Sequence, residues 1–145
     1  MKVNNKKELQ EIIKKAKITE DLNNLDVSGI TNMDELFRGS SFNGDISEWD
    51  VSNVTHMNHM FHTSKFRGDI SDWNIKNVGF MVGMFADSDF FKNRNHLLFK
   101  WQIEKPTTMN VFSSDINSVC DFKKHQQIWK KLEGLGRFKS LHSLT

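Results

Sequence analysis

Three histidines, His56, His59 and His62, recur every third residue near the middle of the chain. On a helix, His56 and His59 fall on one side, where two imidazoles one turn apart can hold a divalent cation. Six positions turn His62 through about 600°, away from His56. No third ligand is evident, so the histidines read as variable, solvent-facing positions and no metal is expected. Asp45 and Asp69 are separated by 24 residues, as are Asp26 and Asp50. In a stack of parallel strands about 4.8 Å apart, such carboxylates repel unless something compensates. Calcium between the copies or an acid/base pair with one raised pKa would do so. Alternatively each carboxylate accepts backbone N–H groups in its own turn. Catalytic residues are usually unique whereas structural ones recur, which favours the turn role for Asp45 and Asp69. Asp26 and Asp50, at exposed strand positions, have no backbone partner forced on them. Asn53-Val54-Thr55 matches a glycosylation sequon, but helix capping explains it equally well. Cys120 lies near Lys123, Lys124 and His125, cations that favour a thiolate. No orienting third group accompanies it, so it reads as a buried residue. Phosphate-binding glycine loops, paired-cysteine motifs and serine elbows are missing. No catalytic residue and no cofactor are expected.

The elements that would position these residues follow from an internal period. Leu25, Trp49 and Trp73 lie 24 apart, and so do Val27, Val51 and Ile75. The same step links Ile30, Val54 and Val78; Met33, Met57 and Met81; and Phe37, Phe61 and Phe85. It also links the Leu36, Ser40 and Phe42 columns to their later copies, and a register held over so many columns defines a tandem repeat. Within one copy, Trp49 and Val51 alternate with Asp50 and Ser52, which is strand spacing. Met57, Met60 and Phe61 fall at i, i+3 and i+4, which is helical spacing, with Asn53 or Thr55 placed as the cap. Gly68-Asp69 supplies the turn into the next copy. A single such unit cannot bury its apolar side, so the copies must stack.

The string Trp49-Asp50-Val51-Ser52-Asn53-Val54-Thr55 with Met57, Met60 and Phe61, followed by Phe66-x-Gly68-Asp69-Ile70-Ser71, resembles the BspA-like bacterial surface-protein repeat, a leucine-rich-repeat relative. The resemblance covers about residues 25–92. It implies a right-handed solenoid with a parallel sheet, used mainly for protein binding. The expected fold is therefore α/β: a short right-handed LRR-like solenoid of strand–helix repeats, capped by helices at both ends. Residues 1–24 are expected as an N-terminal capping helix, opened by a capping box at Asn5–Glu8 and striped by Leu9, Ile12, Ile13 and Ala16. The repeats are expected at about 25–48, 49–72 and 73–100. A degenerate fourth at 101–112 follows because Trp101, Ile103 and Met109 lie 28 beyond Trp73, Ile75 and Met81. Residues 113–145 are expected to form a basic amphipathic helical cap.

The 145 residues carry 20 Lys and Arg against 18 Asp and Glu, a net charge of +2. That balance hides an uneven distribution. Residues 25–92 hold five basic and ten acidic residues, whereas residues 93–145 hold nine basic and four acidic ones. An acidic middle argues against a uniform nucleic-acid-binding surface. The first residues are basic with no apolar stretch behind them, no apolar run reaches a membrane span, and one cysteine makes no intramolecular disulfide. A cytoplasmic protein without membrane contact is expected.

The function these features imply is non-catalytic protein–protein interaction through the exposed solenoid surface. The expected binding residues are Asp26, Glu48, Asp50, Asp72, Asn74 and Lys76, facing a partner protein with a basic surface. The alternative binding site is the basic segment Lys123, Lys124, Lys130, Lys131 and Arg137, the only part suited to direct nucleic-acid contact. An alternative function is that of a phage- or mobile-element-encoded inhibitor of a host nucleoprotein defence complex, whose basic grooves an acidic surface would occupy. An enzyme ranks third, because the polar residues repeat instead of converging on one unique set.

Overall fold

A computed structural model of the protein describes residues 1–90, 100, 101 and 127. One α-helix, α1, spans Lys6–Lys15. Asn5 caps it, its side-chain oxygen accepting the Glu8 N–H at 2.9 Å, while the Glu8 carboxylate reaches back to the Asn4 N–H at 2.8 Å. Two orphan donors of the first turn region are thereby satisfied. Leu9 and Ile13 are buried beneath α1, with Ile12 and Ala16 packed at the margin. Both flanks of the helix are tied to the next copy by parallel bridges, Lys2 to Asp26 and Asp21 to Asp45. Residues 1–24 thus share the 24-residue step of the later copies, with a helix in place of their central segment.

The expected α/β solenoid of strand–helix repeats is overturned. Among the described residues there is one helix and no strand, and pairing between copies is confined to isolated parallel bridges at Lys2–Asp26, Asp21–Asp45, Asn32–His56 and His56–Phe80. The strand at Trp49–Ser52 does not form because Asp50 Oδ1 accepts the Ser52 N–H at 3.0 Å and closes the chain into an Asx turn. The Val54 N–H then bonds to the Val51 carbonyl in a second turn. Nor does the helix at Met57–Phe61 form. His59 and Thr63 take φ values of 53° and 56°, and Glu35, Gly39, Gly83 and Asp87 repeat that left-handed geometry at the equivalent positions. Such residues interrupt a right-handed helix. The i, i+3, i+4 spacing of Met57, Met60 and Phe61 is met instead by consecutive turns, Met60 N–H to Met57 and His62 N–H to His59. Asn53 and Thr55, expected as caps, donate to the preceding copy at Ser28 and Thr31.

In the turn segments, alternate N–H groups leave their own copy. Met33, Glu35, Phe37 and Gly39 donate to the carbonyls of His56, Asn58, Met60 and His62, and Met57, His59, Phe61 and Thr63 donate to Phe80, Val82, Met84 and Ala86. All these rungs point the same way along the stack. Beneath them lies one continuous core. Phe37, Phe61 and Phe85 stack with centroids 5.2 and 5.5 Å apart and nearly parallel planes, and Trp49 lies flat on Trp73 at 6.5 Å. The tryptophan Nε1–H groups reach back one copy, Trp49 to the Leu22 carbonyl, Trp73 to Ile46 and Trp101 to Ile70. Trp101 therefore occupies the tryptophan column after four extra residues. Gly44 is required where it stands, because a Cβ there would strike the Glu20 carbonyl and the Phe42 ring. The remaining residues of the degenerate fourth repeat and all of the 113–145 cap except residue 127 lie outside the described residues.

Candidate functional site

One surface of the stack is built from three turn segments, 21–28, 45–52 and 69–76. Each opens with an Asx turn: Asp21 Oδ1 accepts the Asn23 N–H, Asp45 the Ser47 N–H and Asp69 the Ser71 N–H, at 2.8–2.9 Å. A second Asx turn follows within each segment, from Asp26 to Ser28, Asp50 to Ser52 and Asn74 to Lys76. Buried Leu25, Trp49 and Trp73 anchor the segments from below. Neighbouring segments are joined by Asn53 to the Ser28 carbonyl, Asn77 to the Ser52 carbonyl and the Glu48 N–H to Asn23 Oδ1, at 2.7–2.8 Å.

Exposed on these turns are Asp21, Asp26, Asp45, Glu48, Asp50, Asp69 and Asp72, together with Asn74 and Lys76. All six expected binding residues, Asp26, Glu48, Asp50, Asp72, Asn74 and Lys76, belong to this surface. Asp72, Asn74 and Lys76 also line, with Lys100, a shallow pocket of about 340 Å³. There the Lys100 ammonium lies 3.7 Å from the Asp72 carboxylate.

The turns hold the carboxylates in their charged form. The Ser28 hydroxyl and then its N–H keep Asp26 below the usual carboxylate range, and the Ser52 hydroxyl and N–H do the same for Asp50. Asp45 is lowered by the Ser47 N–H and hydroxyl, with help from Asn23. Asp26 and Asp50 therefore have the local backbone partner that their expected strand position denied them. No raised pKa suited to acid/base chemistry accompanies the Asp26, Asp45 or Asp50 carboxylates. Sequence reasoning left Asp21, Asp45 and Asp69 out of the binding surface. Their common step of 24 and their exposure place them on it.

The histidines occupy the other side of the stack, on the turn ladder. His56 Nδ1 lies 2.8 Å from the Thr55 hydroxyl, and its ring stacks on Phe80 at 4.5 Å. The His59 and His62 rings are 5.5 Å apart. Because the segment is not helical, the one-sided geometry expected for His56 and His59 does not apply. Among the described residues, no group of three or more His, Cys, Asp or Glu is placed to hold a metal ion. Cys120 and the alternative site, Lys123, Lys124, Lys130, Lys131 and Arg137, lie outside the described residues. Among the described residues no helix is long and apolar enough to cross a membrane.

A protein family described as Mycoplasma protein of unknown function, DUF285, matches residues 7–129. The chain belongs to this DUF285 family. The match takes in α1 from its second residue and all three copies of the 24-residue unit, so the stacked turns lie within the DUF285 region. No curated protein and no solved structure matches the chain.

Proposed function

We propose that this DUF285 chain is a non-catalytic binding module that recognises a basic surface of a partner protein through its acidic turns. The observation that carries the reading is the set of exposed carboxylates on segments 21–28, 45–52 and 69–76, held in register over a continuous aromatic core. A surface fixed by its own turns loses little conformational freedom on binding, which favours affinity. Its predominantly negative charge speeds encounter with a cationic partner and disfavours anionic ones. The resemblance of Trp49–Phe61 and Phe66–Ser71 to the BspA-like repeat supports the same reading, since those repeats are used mainly for protein binding.

Association kinetics with a partner recovered from native lysate test this. Asp26→Lys with Asp50→Lys should slow association and cost several kcal/mol of affinity, as like charge against a basic surface does. Unchanged kinetics in a folded double variant would remove the acidic turns from the binding site.

A further inference from the structure

Two buried nitrogens on the histidine side are left without partners. Nδ1 of His59 and Nδ1 of His62 are both shielded from solvent and make no hydrogen bond. Neutral imidazole carries one N–H and one bare nitrogen. With Nδ1 buried and unpartnered, the arrangement that leaves no donor stranded puts the proton on Nε2 of each ring. The proton that would charge His59 must then enter at Nδ1, where no acceptor awaits it. A buried donor without an acceptor costs its full desolvation penalty, and more when charged. His56 differs, because its Nδ1 has the Thr55 hydroxyl at 2.8 Å.

The surroundings add to the cost. The His62 ring, 5.5 Å away, disfavours charge on His59. Arg38, from the preceding copy, repels a charged His59, whereas Glu35 and Asp34 of that copy attract it. From the following copy, Asp87 Oδ2 stands 3.9 Å from His62 Nε2. Burial, followed by His62 and Arg38, outweighs the acids and holds His59 below the ordinary histidine range. The backbone of this segment also forms the rungs between copies: the N–H groups of His59, Phe61 and Thr63 bond to Val82, Met84 and Ala86 at 2.8–2.9 Å.

We propose that His59, packed against His62, forms an acid-sensitive latch, which holds segment 57–63 to segment 80–86 while the His59 ring is neutral and loosens when it is protonated. A group with a depressed histidine pKa contributes stability that is fully present above the unfolded value near 6.5 and is lost as pH falls below it. Asp26, Asp45 and Asp50 are held below the usual carboxylate range and stay charged over that window.

The test is the melting temperature of the full chain between pH 7.5 and pH 5.5, for the parent and for His59→Asn with His62→Gln. Asn tolerates the left-handed φ of position 59. The parent should melt lower at pH 5.5 than at pH 7.5, and the double variant should lose most of that difference. His56→Gln should retain it. A parent that melts equally at both pH values, or a double variant with the parent's full pH dependence, overturns the latch. Hydrogen exchange on the parent gives a second reading that needs no variant. Protection of the His59, Phe61 and Thr63 amides should fall at pH 5.5 relative to the Val3 amide, which bonds to Asp26 at the far end of the stack. Unchanged relative protection overturns the proposal.

Discussion

The two faces of the stack solve the same problem with different chemistry. On the acidic face, side chains make the turns: Asp21, Asp26, Asp45, Asp50, Asp69 and Asn74 each accept an N–H two residues on. On the ladder face, the backbone makes most of the rungs, and side chains add to them where Asp34 accepts from the Asn58 N–H, Asn58 from the Val82 N–H, and the Thr55 hydroxyl donates to the Thr31 carbonyl. Side-chain turns demand Asp or Asn at fixed positions, so the acidic face repeats from copy to copy. Backbone rungs make no such demand, and the ladder face drifts from Asn32 to His56 to Phe80, and from Arg38 to His62 to Ala86. Repetition here marks where side chains hold the backbone, and variation marks where they are released from that task. Asn74 shows that an Asx turn needs a side-chain oxygen and not a charge. The negative charge at Asp26 and Asp50 is therefore not required to close the turn, although it strengthens the bonds that do.

The largest effect should come from breaking what both faces share. Trp49→Ala removes a ring stacked on Trp73, together with the Nε1–H bond to Leu22. Chemical denaturation should report a loss of about 3–5 kcal/mol, as for other buried aromatic truncations. A variant as stable as the parent would mean that the copies do not share one core.

Smaller effects should separate the faces. Asn58→Ala on the ladder leaves the Val82 N–H without its 2.9 Å acceptor and should cost about 1–3 kcal/mol. Asp50→Asn on the acidic face keeps an acceptor for the Ser52 N–H and loses only the charge-assisted part of that bond, so it should cost less. If the two substitutions proved equally costly, charge as well as turn geometry would be needed for folding at Asp50.

The smallest effect should be the acid limb of the stability curve. Asp26, Asp45 and Asp50 have lowered folded pKa values, so their contribution is present above the unfolded value near 3.9 and is lost as pH falls through the folded values. Replacing all three with Asn should lower the melting temperature slightly near neutrality, where the charged carboxylates contribute, and flatten its fall below about pH 4. A triple variant that kept the parent's neutral midpoint and its full acid limb would mean that these carboxylates do not act through the turns.

Much of this was legible in the residues, and some was not. The register of the stack follows from Trp, Met and Phe at a fixed step, because a buried aromatic must meet its equivalent one copy away. The local geometry was misread for a physical reason. A period of i, i+3, i+4 reports which side chains share a side, and consecutive turns with left-handed breaks at His59 and Thr63 satisfy it as well as a helix does. Nothing in the types His and Thr announces a positive φ. The Asx turns were open to a closer reading. Asp26-Val27-Ser28, Asp45-Ile46-Ser47, Asp50-Val51-Ser52 and Asp69-Ile70-Ser71 share one pattern, yet only Asp45 and Asp69 were assigned to turns. The acidic surface was visible as a charge excess, and the structure adds the three segments on which it is displayed.

The central claim is that charge on the acidic turns, beyond what folding requires, selects the partner. Asp26→Asn with Asp50→Asn tests it most directly, because the turns keep their acceptors while two charges disappear. Partner capture from native lysate should fall sharply for this variant while it remains folded, weaken with added salt for the parent, and persist for Lys130→Glu with Lys131→Glu. Full capture by the Asn variant, with capture abolished by the Lys130 and Lys131 reversal, would contradict the account and move recognition to the basic segment.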